Sequence, residues 1–222
     1  MITKNDIVQV LQNLAVTRPA FCSEADFQLS FAWELKKFLS VQSIPYEIFL
    51  ERKFIISSKE CYVDVCVESQ DELCLIELKY KTVKEQVSVS SKTGTVCTLK
   101  NQAANDLGRY GYLKDIWRIE NALSHIAHKK SKNGFAIILT NDKQYYENPQ
   151  KVLTTVDQTF RIHERTDLLN PFNNFINWTL KGTTAKWMKS YPSFRIVHTP
   201  SFCWNKYSVP AKQEFRYLIT EI

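Results

Sequence analysis

The chain has 222 residues, 44% apolar and 23% charged, enough for one well-buried core and short for two independent domains. No stretch approaches the roughly 18 apolar residues of a membrane span, and the opening MITKNDIVQVLQNLAV lacks a signal-peptide layout, so a cytoplasmic protein with no membrane partner is expected. The net charge of +6 is uneven: residues 1–149 hold 19 Lys and Arg against 18 Asp and Glu, whereas residues 150–222 hold 10 against 5.

Residues 3–16 repeat Ile7, Val10, Leu11 and Leu14 at helical spacing, and Arg18-Pro19 ends that helix. CSEADFQLSFAWELKKFLS follows, with Ser23 as N-cap, Asp26 in a capping-box position and a stripe of Phe27, Phe31, Leu35, Phe38 and Leu39. YEIFLERKFII reads as a strand, and YVDVCVESQDELCLIELKYK (62–81) as two apolar strands joined by a polar turn. KTVKEQVSVSSKTGTVC is weakly patterned, a loop or ribbon. A long helix is predicted from about Leu99 to about Lys129; Gly108 and Gly111 each weaken it by up to about 1 kcal/mol, which points to close packing there. GFAIILTND has the continuous apolar run of a buried central strand. In the tail, FRIVHTPSFCWNKYS and EFRYLITEI read as strands. Basic and aromatic side chains alternate there, a mix suited to phosphate attraction and base stacking, with Lys181, Lys186, Lys189, Arg195 and Lys206 as candidate nucleic-acid contacts. The order of elements predicts one α/β domain over residues 1–222, a mixed central β-sheet flanked by α-helices.

The six cysteines form no C-x-x-C pair and are expected as reduced thiols. His125 and His128 share a helix face, but without a nearby cysteine they are a weak basis for a zinc site.

Three charges interrupt the apolar hairpin: Asp64 in the first strand, Glu77 and Lys79 in the second. A turn at Ser69 to Glu72 pairs Glu68 with Leu73, so facing residues sum to 141 and Asp64 lies opposite Glu77. Alternation places Glu77, Lys79 and Lys81 on one face, Ile76 and Leu78 on the other. Facing Cβ atoms are roughly 5 Å apart, and two carboxylates there repel by on the order of 3 kcal/mol at an effective dielectric of about 20. Protonation of one acid, neutralisation by Lys79, or a divalent cation would relieve this, and an all-oxygen donor set favours Mg2+. The apolar flanks make such charges costly. Glu24, in the first turn of the second helix, adds a carboxylate near that helix's core-facing stripe.

The order helix with Glu24, strand, Asp64 strand, Glu77-x-Lys79 strand, helix resembles the core of the PD-(D/E)XK nuclease superfamily, the restriction-endonuclease-like fold, over about residues 20–140. The resemblance implies a metal-dependent nuclease. Asp64, Glu77 and Glu24 would hold Mg2+, or Mn2+ in its place, with the Leu78 or Ile76 carbonyl as an added ligand, and Lys79 would assist the attacking water or the scissile phosphate. Val63 stands where a proline would precede the motif's Asp. The Q-x-x-x-Y of RecB-type members is altered too: Gln102 is followed at i+4 by Asp106, with Arg109 and Tyr110 one turn on. These four share one face of the predicted helix. With Lys81 they form a second tier that either positions the site or only orders the helix flank.

The resulting expectation is a restriction-, repair- or defence-type nuclease acting on nucleic acid, DNA first, with residues 150–222 as a basic, aromatic-rich extension. Cutting both strands of a duplex would favour a homodimer. One alternative is a nucleic-acid-binding protein that keeps the fold without cutting. The other is an unrelated α/β protein whose charges form a structural ion-pair network.

Overall fold

Capping fixes where the first helices begin. In the computed structural model, which describes residues 1–41, 45–56, 59–149, 155–164, 174–179 and 190–222, α1 (Lys4–Thr17) opens on a capping box in which Thr3 and Asp6 bond each other's backbone N–H. Ser23 caps α2 (Glu24–Ser40) by accepting from Asp26 N–H. The predicted box does not close on Ser23, because the Asp26 carboxylate pairs with Arg18 and takes Cys22 N–H.

Strands β1 (Glu47–Ile56), β2 (Lys59–Glu68) and β3 (Glu72–Lys81) form an antiparallel meander. The polar ribbon after it folds as a small hairpin of β4 (Gln86–Ser88) and β5 (Val96–Thr98). Helix α3 (Asn105–Ser124) then crosses over to β6 (Ser131–Thr140), which runs parallel to β3. After the short α4 (Lys143–Tyr146), β7 (Phe175–Ile176) pairs with β8 (Phe194–Arg195). Finally β9 (Asn205–Ser208) and β10 (Phe215–Glu221) join the main sheet, which is mixed and six-stranded in the order β1-β2-β3-β6-β10-β9.

Alternation divides the core between two faces. Val65, Val67, Ile76, Leu78 and Tyr80 pack with the α1 and α2 stripes, while Cys66, Leu75, Ala136 and Ile138 pack with α3 and the aromatic residues of the tail. Helix α3 is shorter than predicted at both ends. Leu99 and Gln102 donate backbone N–H groups to Glu85 and Thr82 carbonyls, which keeps residues 99–102 extended. Past Ser124, Lys129 is drawn to the β2–β3 turn, bonding Ser69 O and Glu68. Gly108 meets the expectation of close packing: a Cβ there would lie 1.9 Å from Tyr145 Oη, whereas Gly111 has room beside the Lys79 stem, at 3.5 Å. No described helix is long and apolar enough to cross a membrane, and all six cysteines are free thiols.

Candidate active site

The β2–β3 hairpin has the register its turn dictates. Ser69 N–H donates to Glu72 O at 3.0 Å, and the pairs run from Glu68–Leu73 to Val65–Ile76. There the ladder stops. On the other side of β2, Glu51 has left-handed backbone, φ 51°, and drops out of the β1–β2 pairing opposite Asp64. The β3 N–H groups beyond the ladder are taken by carboxylates instead: Leu78 N–H donates to Asp64 Oδ2 at 2.6 Å, and Tyr80 N–H to Glu24 Oε2 at 2.8 Å. Gln28 of α2 fixes this opening, its amide donating to the Asp64 carbonyl and to the Glu51 carboxylate, both at 2.9 Å. Acids from α2 and β2 thus line the stretch of β3 that carries Glu77 and Lys79.

Glu77 and Lys79 point to the α3 face, where the helix supplies two further charges. Arg118 Nη2 lies 2.9 Å from Glu77 Oε2 and 2.7 Å from Asp115 Oδ1; the second Asp115 oxygen takes Lys79 Nζ at 3.0 Å. Charge therefore alternates along Lys79, Asp115, Arg118 and Glu77. Glu77 is only 1% exposed, and among the described residues neither its Oε1 nor the buried Arg118 Nε has a hydrogen-bond partner.

These surroundings move all three groups from their ordinary ranges. Burial, reinforced by the Asp115 charge, pushes the Glu77 carboxyl far above the usual carboxylate range, with Arg118 pulling the other way. Burial also pushes Asp64 up to about 6, against the Leu78 N–H bond; Asp115 and Glu51 add to the rise. Burial opposes the charge on Lys79, yet Asp115 and Glu24 hold that ammonium above its ordinary range, so it is a firm cation.

On the solvent side, a cleft of about 640 Å³ opens between β1, β2 and α3, its wall holding three cations, Lys59, Lys114 and Arg118, and three acids, Glu51, Glu60 and Asp64, with Tyr62 and Trp117 among them. Lys114 Nζ sits 3.4 Å from the centroid of the Trp117 ring and 4.7 Å from that of Phe194. Burial, with Arg118 and Lys59 close by, pushes its ammonium below the ordinary range. Among the described residues neither Lys59 nor Lys114 forms an ion pair with a carboxylate, so the cleft presents cations without bound counter-charge beside Asp64.

No protein-family model, curated protein or solved structure matches the chain.

The remaining sequence candidates scatter. Lys81, at the end of β3, is pushed down by burial while Glu24 raises it. Gln102 precedes α3 and accepts from Thr82 N–H at 3.1 Å, clamping the end of β3. Asp106 and Arg109 line a separate cleft of about 690 Å³, where Arg109 pairs with Asp157 and donates to Gln144 O at 2.8 Å. Tyr110 turns into the aromatic core of Phe160, Trp178 and Phe194 and donates to Pro192 O at 2.8 Å. The shared helix face expected for these four is absent because α3 begins at Asn105, after Gln102. Arg195 follows Phe194 on β8, its guanidinium 5.3 Å from the Phe175 ring. Lys206 lies on β9, at the opposite edge of the sheet from β1, 3.4 Å from Glu214. Lys181, Lys186 and Lys189 lie outside the described residues.

Five members of the cluster escaped the sequence reading: Glu51, Lys59, Lys114, Asp115 and Arg118. For Asp115 and Arg118 a signal existed. They stand at i, i+3 among Tyr112, Ile116 and Ile119, so two charges fall beside the buried stripe of α3.

Proposed function

We propose that this chain is a metal-dependent phosphodiesterase of nucleic acid, with DNA as its first substrate class, on a restriction-endonuclease-like core. The observation that carries the reading is the fork in the hairpin: β2 leaves β3 at Asp64, and Glu77 and Lys79 follow on the α3 face, joined through Arg118 to the cleft that holds Lys59 and Lys114. The order α2, β1, β2, β3, α3, β6 supports it, since it repeats the order on which the resemblance rests.

The donors present decide whether Mg2+ suits the site. Among the described residues no three His, Cys, Asp or Glu side chains gather into a metal cage. Mg2+ needs none, because it keeps several waters and binds through one or two carboxylates together with substrate phosphates. Among the described residues the buried Glu77 Oε1 has no hydrogen-bond partner, which leaves it open to a cation in place of the carboxyl proton. Asp64 and Glu77 would hold the ion, with Glu24 and the Leu78 carbonyl at its margin. Bound there, Mg2+ supplies a Lewis acid for phosphate and acidifies a bound water. Lys79, kept cationic by Asp115, stabilises charge on the phosphate rather than taking a proton. Lys59 and Lys114 hold neighbouring phosphates.

The test is cleavage of linear, nicked and branched DNA, and of RNA, in Mg2+, Mn2+ and EDTA. Metal-dependent cutting is expected, abolished by Glu77→Ala and by Lys79→Ala with the fold retained by circular dichroism. Both variants cutting like wild type would remove the assignment. A second reading, binding without cutting, is favoured by the pairing of Glu77 with Arg118. It requires retention of DNA in a gel-shift assay and no cleavage in any metal.

A further inference from the structure

Arg118 joins the two halves of the proposed site, its guanidinium on Glu77 and its side chain in the cleft wall. An arginine buried for structure alone is normally bidentate on its carboxylate, with its other donors met, because an unmet buried charge is costly. Here a single nitrogen, Nη2, serves both Glu77 and Asp115, while among the described residues Arg118 Nε and Glu77 Oε1 go unpartnered. The pair is also asymmetric in access: the Arg118 side chain is 31% exposed, that of Glu77 1%. Arg118 can therefore leave toward solvent, and Glu77 cannot follow. Asp115 cannot follow either, since its second oxygen is held by Lys79 at 3.0 Å.

From this asymmetry we infer that Arg118 is an exchangeable partner, which occupies Glu77 in the metal-free protein, yields it to a divalent ion, and then presents its guanidinium to a phosphate in the cleft. The inference rests on the metal-dependent reading above and adds to it a residue with two positions. Asp115 is the fixed partner in both, a positioning residue for Lys79 and Arg118 together. The coupling follows from competition for one guanidinium. The cleft wall holds Glu51, Glu60 and Asp64 as well as Lys59 and Lys114, and a phosphate bound beside the lysines offers an Arg118 freed from Glu77 an anion to pair with. Its planar fork suits phosphate oxygens. Divalent ion and phosphodiester therefore raise each other's affinity, as linkage requires.

Calorimetric titration of Mn2+ into the full chain tests this without reference to cutting. Arg118→Met removes the internal cation, and its Mn2+ affinity should rise on the order of tenfold over wild type, with a larger Mn2+-induced increase in Tm. Arg118→Gln, which keeps a donor for Asp115, should tighten binding likewise and decides the matter if the Met variant does not fold. Glu77→Gln should lose the ion. Affinities of the Met and Gln variants within about twofold of wild type, or weaker, overturn the exchange alone, provided wild type binds Mn2+. Absence of Mn2+ binding in wild type and both variants overturns the exchange and the metal-dependent reading together. Tightened binding with no cutting of any nucleic acid by wild type sustains the exchange and removes the nuclease.

Discussion

Asp64 titrates at about 6 in the folded chain, against 3.8 for an ordinary aspartate, because it is buried. Between about pH 4 and pH 6 the folded chain thus holds a proton that the unfolded chain has released. Stability changes with pH as the protons bound by the unfolded chain minus those bound by the folded one, so it falls as pH rises through this window. Above about pH 6 the loss is constant, on the order of 3 kcal/mol at most. Asp64→Asn keeps an oxygen for Leu78 N–H and removes the charge. Thermal melts from pH 4 to pH 8 should show the variant more stable than wild type above pH 6, with the gap closing toward pH 4. A pH-independent difference would mean that Asp64 is not desolvated as its surroundings imply. The helix glycines separate by the same local reasoning. Gly108→Ala drives a methyl into the buried Tyr145 ring and should destabilise by about 1–3 kcal/mol. Gly111→Ala meets only the Lys79 stem at ordinary contact distance and should stabilise by up to about 1 kcal/mol. Urea unfolding of the two variants reads the opposite signs directly.

Helix α3 shows at the scale of an element what sequence pattern reveals and what it hides. Its existence was legible, and so was the hairpin register, because turn length and alternation are local properties; its buried face, which runs through Tyr112, Ile116 and Ile119, was not. Its ends were not, because they are set by groups distant in sequence: Thr82 and Glu85 hold the residues before it, and the β2–β3 turn holds those after it. The error moved attention to Gln102, Asp106, Arg109 and Tyr110, all ahead of Asp115 and Arg118, the α3 residues that pair with Lys79 and Glu77. At its start, exposed Ala104 occupies left-handed backbone, φ 67°, with no side-chain cap bond. A non-glycine residue there costs roughly 1–2 kcal/mol, part of which glycine gives back through its freer unfolded state. Ala104→Gly should therefore stabilise by up to about 1 kcal/mol, seen as a higher urea midpoint at unchanged m-value. An unchanged or lower midpoint would show that the left-handed turn is not strained.

At the scale of the whole molecule, periodicity identifies strands but not their neighbours. The basic, aromatic tail suggested an accessory surface for nucleic acid, yet its last strand lies inside the sheet: β10 pairs with β6 from Arg216–Thr140 to Glu221–Phe135 and separates it from β9. Phe215, Tyr217 and Ile219 fill the core beneath α1 and α2, and Leu218 fills the one beneath α3. Strand β6 in turn flanks β3 along its whole length, Glu77 opposite Ala136 and Lys79 opposite Ile138. The frame of the candidate site thus depends on residues more than 130 positions away, through a single intervening strand. A chain ending at residue 149 would leave β6 an open edge and uncover both cores, so it should lose cooperative thermal unfolding by circular dichroism, while the full chain melts in one transition. Cooperative melting of the shortened chain near the full-length Tm would make the tail an appendage. It would also leave the register of β3 on β6, and with it the placing of Glu77 and Lys79, to the first two-thirds of the sequence alone.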